Sequence, residues 1–215
     1  MSSSGAGPTE VLLVRHGRTA MNAQARLSGR HDTDLDETGE IQAAQLGRAV
    51  ARGVTGPLRI VSSPLVRCVR TAASVAQACG LSEEQVELDP RFLEMDYGDW
   101  DGRLLADLPG DVWHRWRSDP DFAPPGGETL RDVSVRVDAA MADWVDRAAG
   151  GTLVVCSHVS PIKAAVIGAL GVGESVTWRM RLSNASISRL SCSLDAEGWL
   201  VGAMIGFNDV SHLAP

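Results

Sequence analysis

An arginine and a histidine stand side by side where an apolar segment ends. Arg15 and His16 follow VLLV (residues 11–14), and a second histidine, His158, comes soon after the apolar segment at residues 152–156. Burying either residue type without a partner is costly, so both need solvent or a ligand. Arginine presents a fork of donors that suits a phosphate group. These residue types therefore predict an anion-binding site that contains histidine.

Three apolar segments each lead through a polar turn into an amphipathic helix. Strands are predicted at 11–14, 58–61 and 152–156, and helices near 39–50, 65–80 and 161–170. Apolar strands that alternate with helices are typical of a parallel sheet covered on both faces. The pattern predicts an α/β fold, a three-layer α/β/α sandwich with a mostly parallel central sheet. Ligands bind beyond the carboxyl ends of such strands, so Arg15, His16, Arg67 and His158 are expected to share one crevice.

Local signals place the remaining elements. Ser63 before Pro64 is a helix start signal, and glycines after predicted helices are stop signals. Apolar residues at helical spacing predict a long helix over 130–148, and alternation within 183–207 predicts one or two edge strands. The segment at about 90–127 is predicted to be a small helical and loop insertion over the active site.

The length of 215 residues suits one α/β domain. Residues 1–9 are expected to be a flexible tail, and residues 10–215 a single domain that contains the insertion. The tail is small and polar and does not resemble a secretory signal, and no apolar run approaches the roughly 20 residues of a membrane span.

Composition restricts the partners. The net charge of −7 disfavours nucleic-acid binding. The four cysteines are scattered and form no motif for a structural zinc ion or a disulfide framework, which favours a reducing cytoplasm. No metal and no cofactor are predicted, because arginines near the histidines would repel a cation and no carboxylate or cysteine completes a ligand set.

Five segments together resemble the successive motifs of the histidine phosphatase superfamily, also called the phosphoglycerate mutase-like family. They are LVRHGRTAMN, LSGRHDTDLDETG, SSPLVRCVRTA, LEMDYGDWDG and CSHVSPIKA. The tripeptide RHG alone is weak evidence, but five motifs in order are specific. The resemblance runs from about residue 11 to 190, and it is strongest to phosphatases of the acid-phosphatase and α-ribazole-phosphatase kind.

The resemblance implies a role for each matching residue. His16 would be the nucleophile that forms a phosphohistidine, and Glu94 would protonate the leaving oxygen and later activate water. Arg15, Arg67 and His158 would hold the phosphoryl oxygens. By the same match, the phosphate pocket would be lined by Asn22, Ser28 and Gly29.

Three positions depart from the family pattern or lie outside it. Arg18 stands where most members carry Glu or Gln, and it either favours a more anionic substrate or faces solvent. Val159 replaces the usual glycine after His158 and limits how closely the backbone approaches a bound phosphate. Arg18 and Val159 are also predicted to be phosphate-binding residues. Lys163 either assists the site or lies on the surface.

The predicted function is metal-independent hydrolysis of a phosphomonoester, with a small phosphorylated metabolite as the partner and no nucleic acid or membrane. Two alternatives stay open: a phosphoglycerate-mutase-type phosphotransferase and a non-catalytic phosphate-binding protein. The mutases carry a longer insertion than residues 90–127, which favours hydrolysis. The physiological substrate and the oligomeric state are not defined by the sequence, and a homodimer through an edge strand is one option.

Overall fold

The computed structural model describes residues 7–213, which form six strands and six α-helices joined by short 3₁₀ turns. The strands are β1 (Thr9–Arg15), β2 (Leu58–Ser62), β3 (Val86–Leu88), β4 (Thr152–Ser157), β5 (Ile187–Leu194) and β6 (Leu200–Asp209). The helices are α1 (Ala20–Ala23), α2 (Glu37–Gly53), α3 (Val66–Ala78), α4 (Gly110–Ser118), α5 (Leu130–Ala148) and α6 (Val159–Leu170).

The strands form one sheet in the order β3-β2-β4-β1-β5-β6. β1, β2, β3 and β4 run parallel, while β5 pairs antiparallel with β1 and β6 antiparallel with β5. The predicted mostly parallel sheet is therefore confirmed, with β6 at one edge. Of the one or two edge strands predicted within 183–207, β6 lies at the edge, while β5 is an interior strand because β1 and β6 flank it.

Each face of the sheet carries its own apolar core, which explains the continuous apolar strands. In β1, Val11 and Leu13 pack with residues of α5 and α6, whereas Leu12 and Val14 pack with residues of α2 and α3. Side chains on a strand point alternately to its two faces, so a strand buried on both faces is apolar throughout. This arrangement confirms the three-layer α/β/α sandwich.

Two predicted boundaries need correction. The strand begins at Thr9, which pairs with Cys192, so the predicted tail at 1–9 overlaps the sheet, and residues 1–6 lie outside the described range. Helix α3 starts at Val66 with Leu65 as an N-cap that lacks a side-chain hydrogen bond. The start signal at Ser63 misled because the hydroxyl of Ser63 bonds to His158 instead of capping the helix.

The insertion consists of 3₁₀ turns at Pro90–Phe92, Gly98–Trp100 and Leu105–Asp107, followed by α4. Trp116 of α4 is buried and stacks against Trp113, with edge contacts to Tyr97 and Trp100. These tryptophans therefore anchor the insertion to the core. Within residues 7–213, every helix is too short or too polar to cross a membrane.

Candidate active site

The carboxyl ends of three neighbouring strands bring the candidate residues together. Arg15 of β1 is in register with Ser157 of β4, and Ser62 of β2 is in register with Cys156 of β4. His16, Ser63 and His158 are the residues that follow these three strand ends. The register therefore brings these residues together at one edge of the sheet, as expected.

His16 is held in one tautomer by its neighbour. Its ring is almost fully buried, and Nδ1 lies 2.7 Å from the carbonyl oxygen of Gly17. A carbonyl oxygen only accepts, so Nδ1 carries the proton and donates it. The lone pair of Nε2 is therefore available, and no hydrogen-bond partner for Nε2 is found within residues 7–213.

The surroundings of His16 keep the ring neutral. Burial lowers the pKa of His16 well below its ordinary value, and the positive charges of Arg67 and Arg15 lower it further. The bond to Gly17 opposes these effects in part. A neutral imidazole with a free nitrogen is the form that can act as a nucleophile.

Arg67 is fully buried and binds two elements of the site at once. Nε donates to Nδ1 of His158 over 3.2 Å, while the two terminal nitrogens donate to the carbonyl oxygens of His31 and Gly29 at 2.6 and 2.8 Å. Each terminal nitrogen carries two N–H groups and uses one of them in these bonds. Arg67 therefore fixes the loop at residues 29–31 and keeps two donors for a ligand.

His158 has both ring nitrogens engaged. Guanidinium is only a donor, so Nδ1 of His158 accepts from Arg67, and Nε2 carries the proton and donates to the hydroxyl of Ser63 at 2.8 Å. Burial, followed by the charge of Arg67, lowers the pKa of His158 well below its ordinary value. The His158 ring lies edge-on to His16, with centroids 5.2 Å apart. The N–H of His158 is directed to Ser63. A contact between His158 and a phosphoryl group stays a prediction.

Arg15 lies at the opening of the site. One terminal nitrogen donates to the carbonyl of Leu182 at 2.7 Å, and Nε is buried without a partner in the described chain. Burial lowers the pKa of Arg15 to about 10, so it remains a cation at neutral pH. It faces a cleft of about 250 Å³ whose wall includes Asn22, Leu27 and Leu105.

Glu94 is held against the first turn of α6. One carboxylate oxygen accepts from the backbone N–H groups of Met95 and Ser160, and the other accepts from the N–H of Val159. The N–H groups of Val159 and Ser160 are among the unpaired donors that every helix start presents, and together with that of Met95 they fix the carboxylate in one orientation. The insertion thus delivers Glu94 to the end of β4, close to His158.

The three residues predicted to line the phosphate pocket have different surroundings. Asn22 lines the cleft and accepts a hydrogen bond from Asn184 at 2.9 Å. The hydroxyl of Ser28 is buried without a partner among the described residues, which leaves it able to bind a ligand. Gly29 has φ of +38°, and an added Cβ would collide with the Asp101 carboxylate. Glycine is therefore required where this loop meets Arg67.

The structure gives the two departures from the family pattern concrete partners. The guanidinium of Arg18 donates to Asp36 and Thr38 at the start of α2, both at 2.8 Å, and the side chain is partly exposed. The backbone N–H of Val159 is bonded to Glu94. The guanidinium of Arg18 and the N–H of Val159 thus already have protein acceptors. Phosphate binding by these two residues stays a prediction.

Several residues at the site were not singled out by the sequence. Ser63 was interpreted only as a helix signal, and Asn184 stands in a segment without a motif. Tyr97 is buried with its hydroxyl 3.4 Å from that of Ser160, and burial together with the charge of Glu94 raises its pKa. No group of three or more His, Cys, Asp or Glu side chains in residues 7–213 is close enough to hold a metal ion.

The family model of the histidine phosphatase superfamily (branch 1) matches residues 11–203 of this sequence. The chain belongs to this superfamily. The family expectation from the sequence motifs is thereby confirmed, and the α/β fold with its mixed, mostly parallel sheet agrees with it.

Two curated relatives of this superfamily member differ in length. A probable phosphoglycerate mutase of Cronobacter sakazakii is 38% identical over 212 residues, which cover 95% of this chain and 94% of the relative. A bifunctional protein of Mycobacterium tuberculosis is 38% identical over 185 residues, which cover 84% of this chain. The match spans only about half the length of that mycobacterial relative.

Solved structures of two phosphatases are also similar. A mycobacterial glucosyl-3-phosphoglycerate phosphatase complexed with VO3 is 30% identical, with a TM-score of 0.81 and coverage of 93% of this chain and 98% of that one. A candidate α-ribazole-5′-P phosphatase from Escherichia coli is 26% identical, with a TM-score of 0.78 and coverage of 94% and 97%. The similar proteins thus include phosphatases of small phosphorylated metabolites and a probable mutase.

Proposed function

We propose that this protein hydrolyses a phosphomonoester of a small metabolite through a phosphohistidine on His16. The observation that carries the proposal is the state of that ring: buried, neutral, bonded through Nδ1 to Gly17 and unpartnered at Nε2 within the described chain. A ring fixed in this way presents one nucleophilic nitrogen in one direction, which lowers the entropic cost of reaching the attack geometry.

In the first step, Nε2 of His16 attacks phosphorus and the bond from phosphorus to the leaving oxygen breaks. Glu94, in its protonated form, gives its proton to that oxygen. Positive charge develops on the imidazole, and the hydrogen bond from Nδ1 to the Gly17 carbonyl stabilises it. General acid catalysis of this kind contributes about 10²–10⁴ in rate.

In the second step, Glu94 accepts a proton from water while the water oxygen attacks phosphorus. The phosphorus–nitrogen bond breaks, inorganic phosphate leaves, and His16 returns to its neutral form. Splitting one difficult transfer into two easier ones is the advantage of a covalent intermediate. Glu94 lies at a helix start that orients its carboxylate for both steps.

The transferred phosphoryl group needs fixed positive charge around its oxygens. Among residues 7–213, two N–H groups of Arg67 have no acceptor, and Nε of Arg15 has no partner. Both side chains are held by backbone carbonyls, so little reorganisation accompanies the reaction. Preorganised donors of this type stabilise the transition state mainly through electrostatics.

The rest of the substrate is proposed to extend from Glu94 toward the cleft beside Arg15, on which the charge of Glu94 acts. Its volume of about 250 Å³ suits a small metabolite, and Leu105 of the insertion forms part of its wall. The similarity to a glucosyl-3-phosphoglycerate phosphatase supports a phosphorylated metabolite as the substrate class.

A phosphoglycerate mutase is the second candidate, because a probable mutase of this kind matches nearly the full chain. That relative aligns over 94% of its length with 95% of this chain, so the two are of similar size. The short insertion therefore does not separate this chain from that relative. The two functions differ in product: a mutase converts 3-phosphoglycerate to 2-phosphoglycerate when primed with a bisphosphate, while a hydrolase releases phosphate.

The test is phosphate release from p-nitrophenyl phosphate and a panel of phosphoesters, with a metal chelator present, by the wild type and His16→Ala. Turnover by the wild type that is lost in the variant is the expected result. A wild type that binds vanadate yet releases no phosphate from any ester would overturn hydrolysis and favour the mutase or a non-catalytic phosphate-binding protein.

A further inference from the structure

The single lysine of this chain lies beside the proposed acid. Arginine supplies 19 of the 20 basic residues, and Lys163 is the only lysine. It follows Val159 and Ser160, whose N–H groups hold Glu94, by about one turn of α6. Residues four apart lie on one face of a helix, and long side chains lean toward the helix start. The amine is therefore directed toward the start of α6, where Glu94 is held, and the negative charge of Glu94 acts on it.

The surroundings of the amine are charged. Lys163 is partly buried and feels the negative charge of Glu94 and the positive charge of Arg15, while burial lowers its pKa. Its one protein acceptor in the described chain is the carbonyl oxygen of Thr177 at 2.9 Å. An ammonium group has three N–H donors, so two remain for a ligand. A partly buried cation with so few acceptors is favoured by an added anion.

The proposed reaction fixes what approaches this amine. The leaving oxygen must come within hydrogen-bond reach of Glu94 to receive its proton. Atoms two or three bonds from that oxygen can then reach the groups around Glu94: the hydroxyls of Tyr97 and Ser160, and the amine of Lys163, on which the charge of Glu94 acts. Among these three, Lys163 alone carries a positive charge. A compact ammonium with rotatable donors suits a carboxylate in this position.

We infer that Lys163 binds a carboxylate on the leaving group, so that the substrates are phosphomonoesters of small hydroxy acids. The inference rests on the proposed hydrolysis, since Glu94 locates the leaving oxygen. It assigns Lys163 to substrate selection, while Arg15 and Arg67 hold the phosphoryl group that all phosphomonoesters share.

The experiment compares 3-phosphoglycerate with glycerol 3-phosphate, which differ by a carboxylate in place of a hydroxymethyl group. Lys163→Met removes the charge, Lys163→Arg keeps it, and Arg179→Met removes an exposed cation near Thr177 as a matched control. We expect the wild type to prefer 3-phosphoglycerate, and Lys163→Met to lower kcat/KM for that ester by about 10–100-fold, since hydrogen bonds to charged groups are worth that much.

For glycerol 3-phosphate and p-nitrophenyl phosphate, kcat/KM of Lys163→Met should change less than about twofold, because neither ester has a carboxylate for Lys163 to bind. A change of that size corresponds to under about 0.7 kcal/mol. Lys163→Arg should retain most of the preference, and Arg179→Met all of it. An equal loss for all three esters would overturn the inference, because Lys163 would then act through Glu94 or the fold. Equal activity of the wild type toward both metabolites would overturn it as well.

A second readout does not depend on turnover. Reductive methylation with ¹³C-formaldehyde labels Lys163 and the amino terminus, so the spectrum contains one lysine signal. That signal should move when 3-phosphoglycerate is added and should move much less with glycerol 3-phosphate. If no ester of the panel is hydrolysed, the proposed function fails while this shift still decides the inference: no difference between the two ligands would overturn it.

Discussion

Nε of Arg67 donates to Nδ1 of His158 over 3.2 Å, and neither side chain is exposed to solvent. This bond sets the tautomer of His158 and joins helix α3 to the start of helix α6. The same guanidinium also bonds to the carbonyls of Gly29 and His31. One side chain therefore fixes both His158, whose ring lies against His16, and the loop at residues 29–31.

Arg67→Lys is expected to lower kcat/KM by about 10²–10³, the cost of losing one preorganised donor in a water-excluded site. Lysine keeps the charge but lacks the fork that reaches His158 and the loop at residues 29–31. Arg70→Lys, one turn further along α3 on an exposed ion pair with Glu40, is the control and should change activity little. Steady-state kinetics check this prediction, and a loss below about threefold in Arg67→Lys, equivalent to under about 0.7 kcal/mol, would contradict the role given to the fork.

Glu94→Gln should affect esters according to their leaving groups. Because alkoxide needs a proton to leave, alkyl phosphates should lose about 10²–10⁴ in kcat. The nitrophenolate of p-nitrophenyl phosphate leaves without one, so formation of the phosphoenzyme from this ester should be much less impaired. Pre-steady-state bursts measure that step, with Glu83→Gln on an exposed turn as the control. Equal loss in the first step for both esters would argue against proton donation by Glu94.

His16 and His158 should stay neutral below the ordinary titration range of histidine, since burial and neighbouring arginines lower the pKa of each. ¹⁵N spectra of the imidazoles should show His16 protonated at Nδ1 and His158 at Nε2 near pH 6. The folded pKa values lie below the unfolded value of about 6.5. The contribution of the two neutral histidines to the free energy of unfolding is therefore fully present above pH 6.5, and it is lost as the pH drops below that value. An imidazolium signal for folded His16 near pH 6 would contradict this prediction.

Ionisation of Asp138 in α5 is expected to destabilise the folded protein as the pH rises. Its Oδ1 is buried without a partner in the described chain, and burial, aided by the charge of Glu174, raises its pKa to about 6. The folded pKa exceeds the unfolded one, so the stability from this group is present below about pH 3.8 and is lost as the pH rises through 6.

Asp138→Asn should therefore raise the free energy of unfolding at pH 8 by roughly 1 kcal/mol, after discounting for partial exposure, and by much less at pH 4. That gain corresponds to about 2–4 °C in Tm for a chain of this size. Asp143→Asn, at an exposed position of the same helix that pairs with Arg91, serves as the control and should give no gain. Thermal melts at both pH values measure the difference, and equal shifts at pH 4 and pH 8 would contradict the assignment.

The fold and the convergence of the site residues could be predicted from the sequence because both follow from local patterns. Apolar segments such as residues 11–14 define strands, and parallel register then brings the residues after them to one edge. The partners of those residues depend on contacts distant in sequence. Nothing local indicates that Ser63 bonds to His158, or that the carbonyls of Gly29 and His31 receive Arg67. Arg18 shows the same limit, because it pairs with Asp36, which lies 18 residues later in the chain.

Detection of the phosphoenzyme decides whether His16 is the nucleophile. Wild type and Glu94→Gln would be mixed with p-nitrophenyl phosphate, quenched in base within milliseconds, and digested for mass spectrometry, with His16→Ala as the control. We expect an acid-labile phosphoryl group on His16, more abundant in Glu94→Gln because hydrolysis of the intermediate is slowed, and absent in His16→Ala. Turnover without any phosphoryl group on His16, or with the group on His158 or a serine, would contradict it.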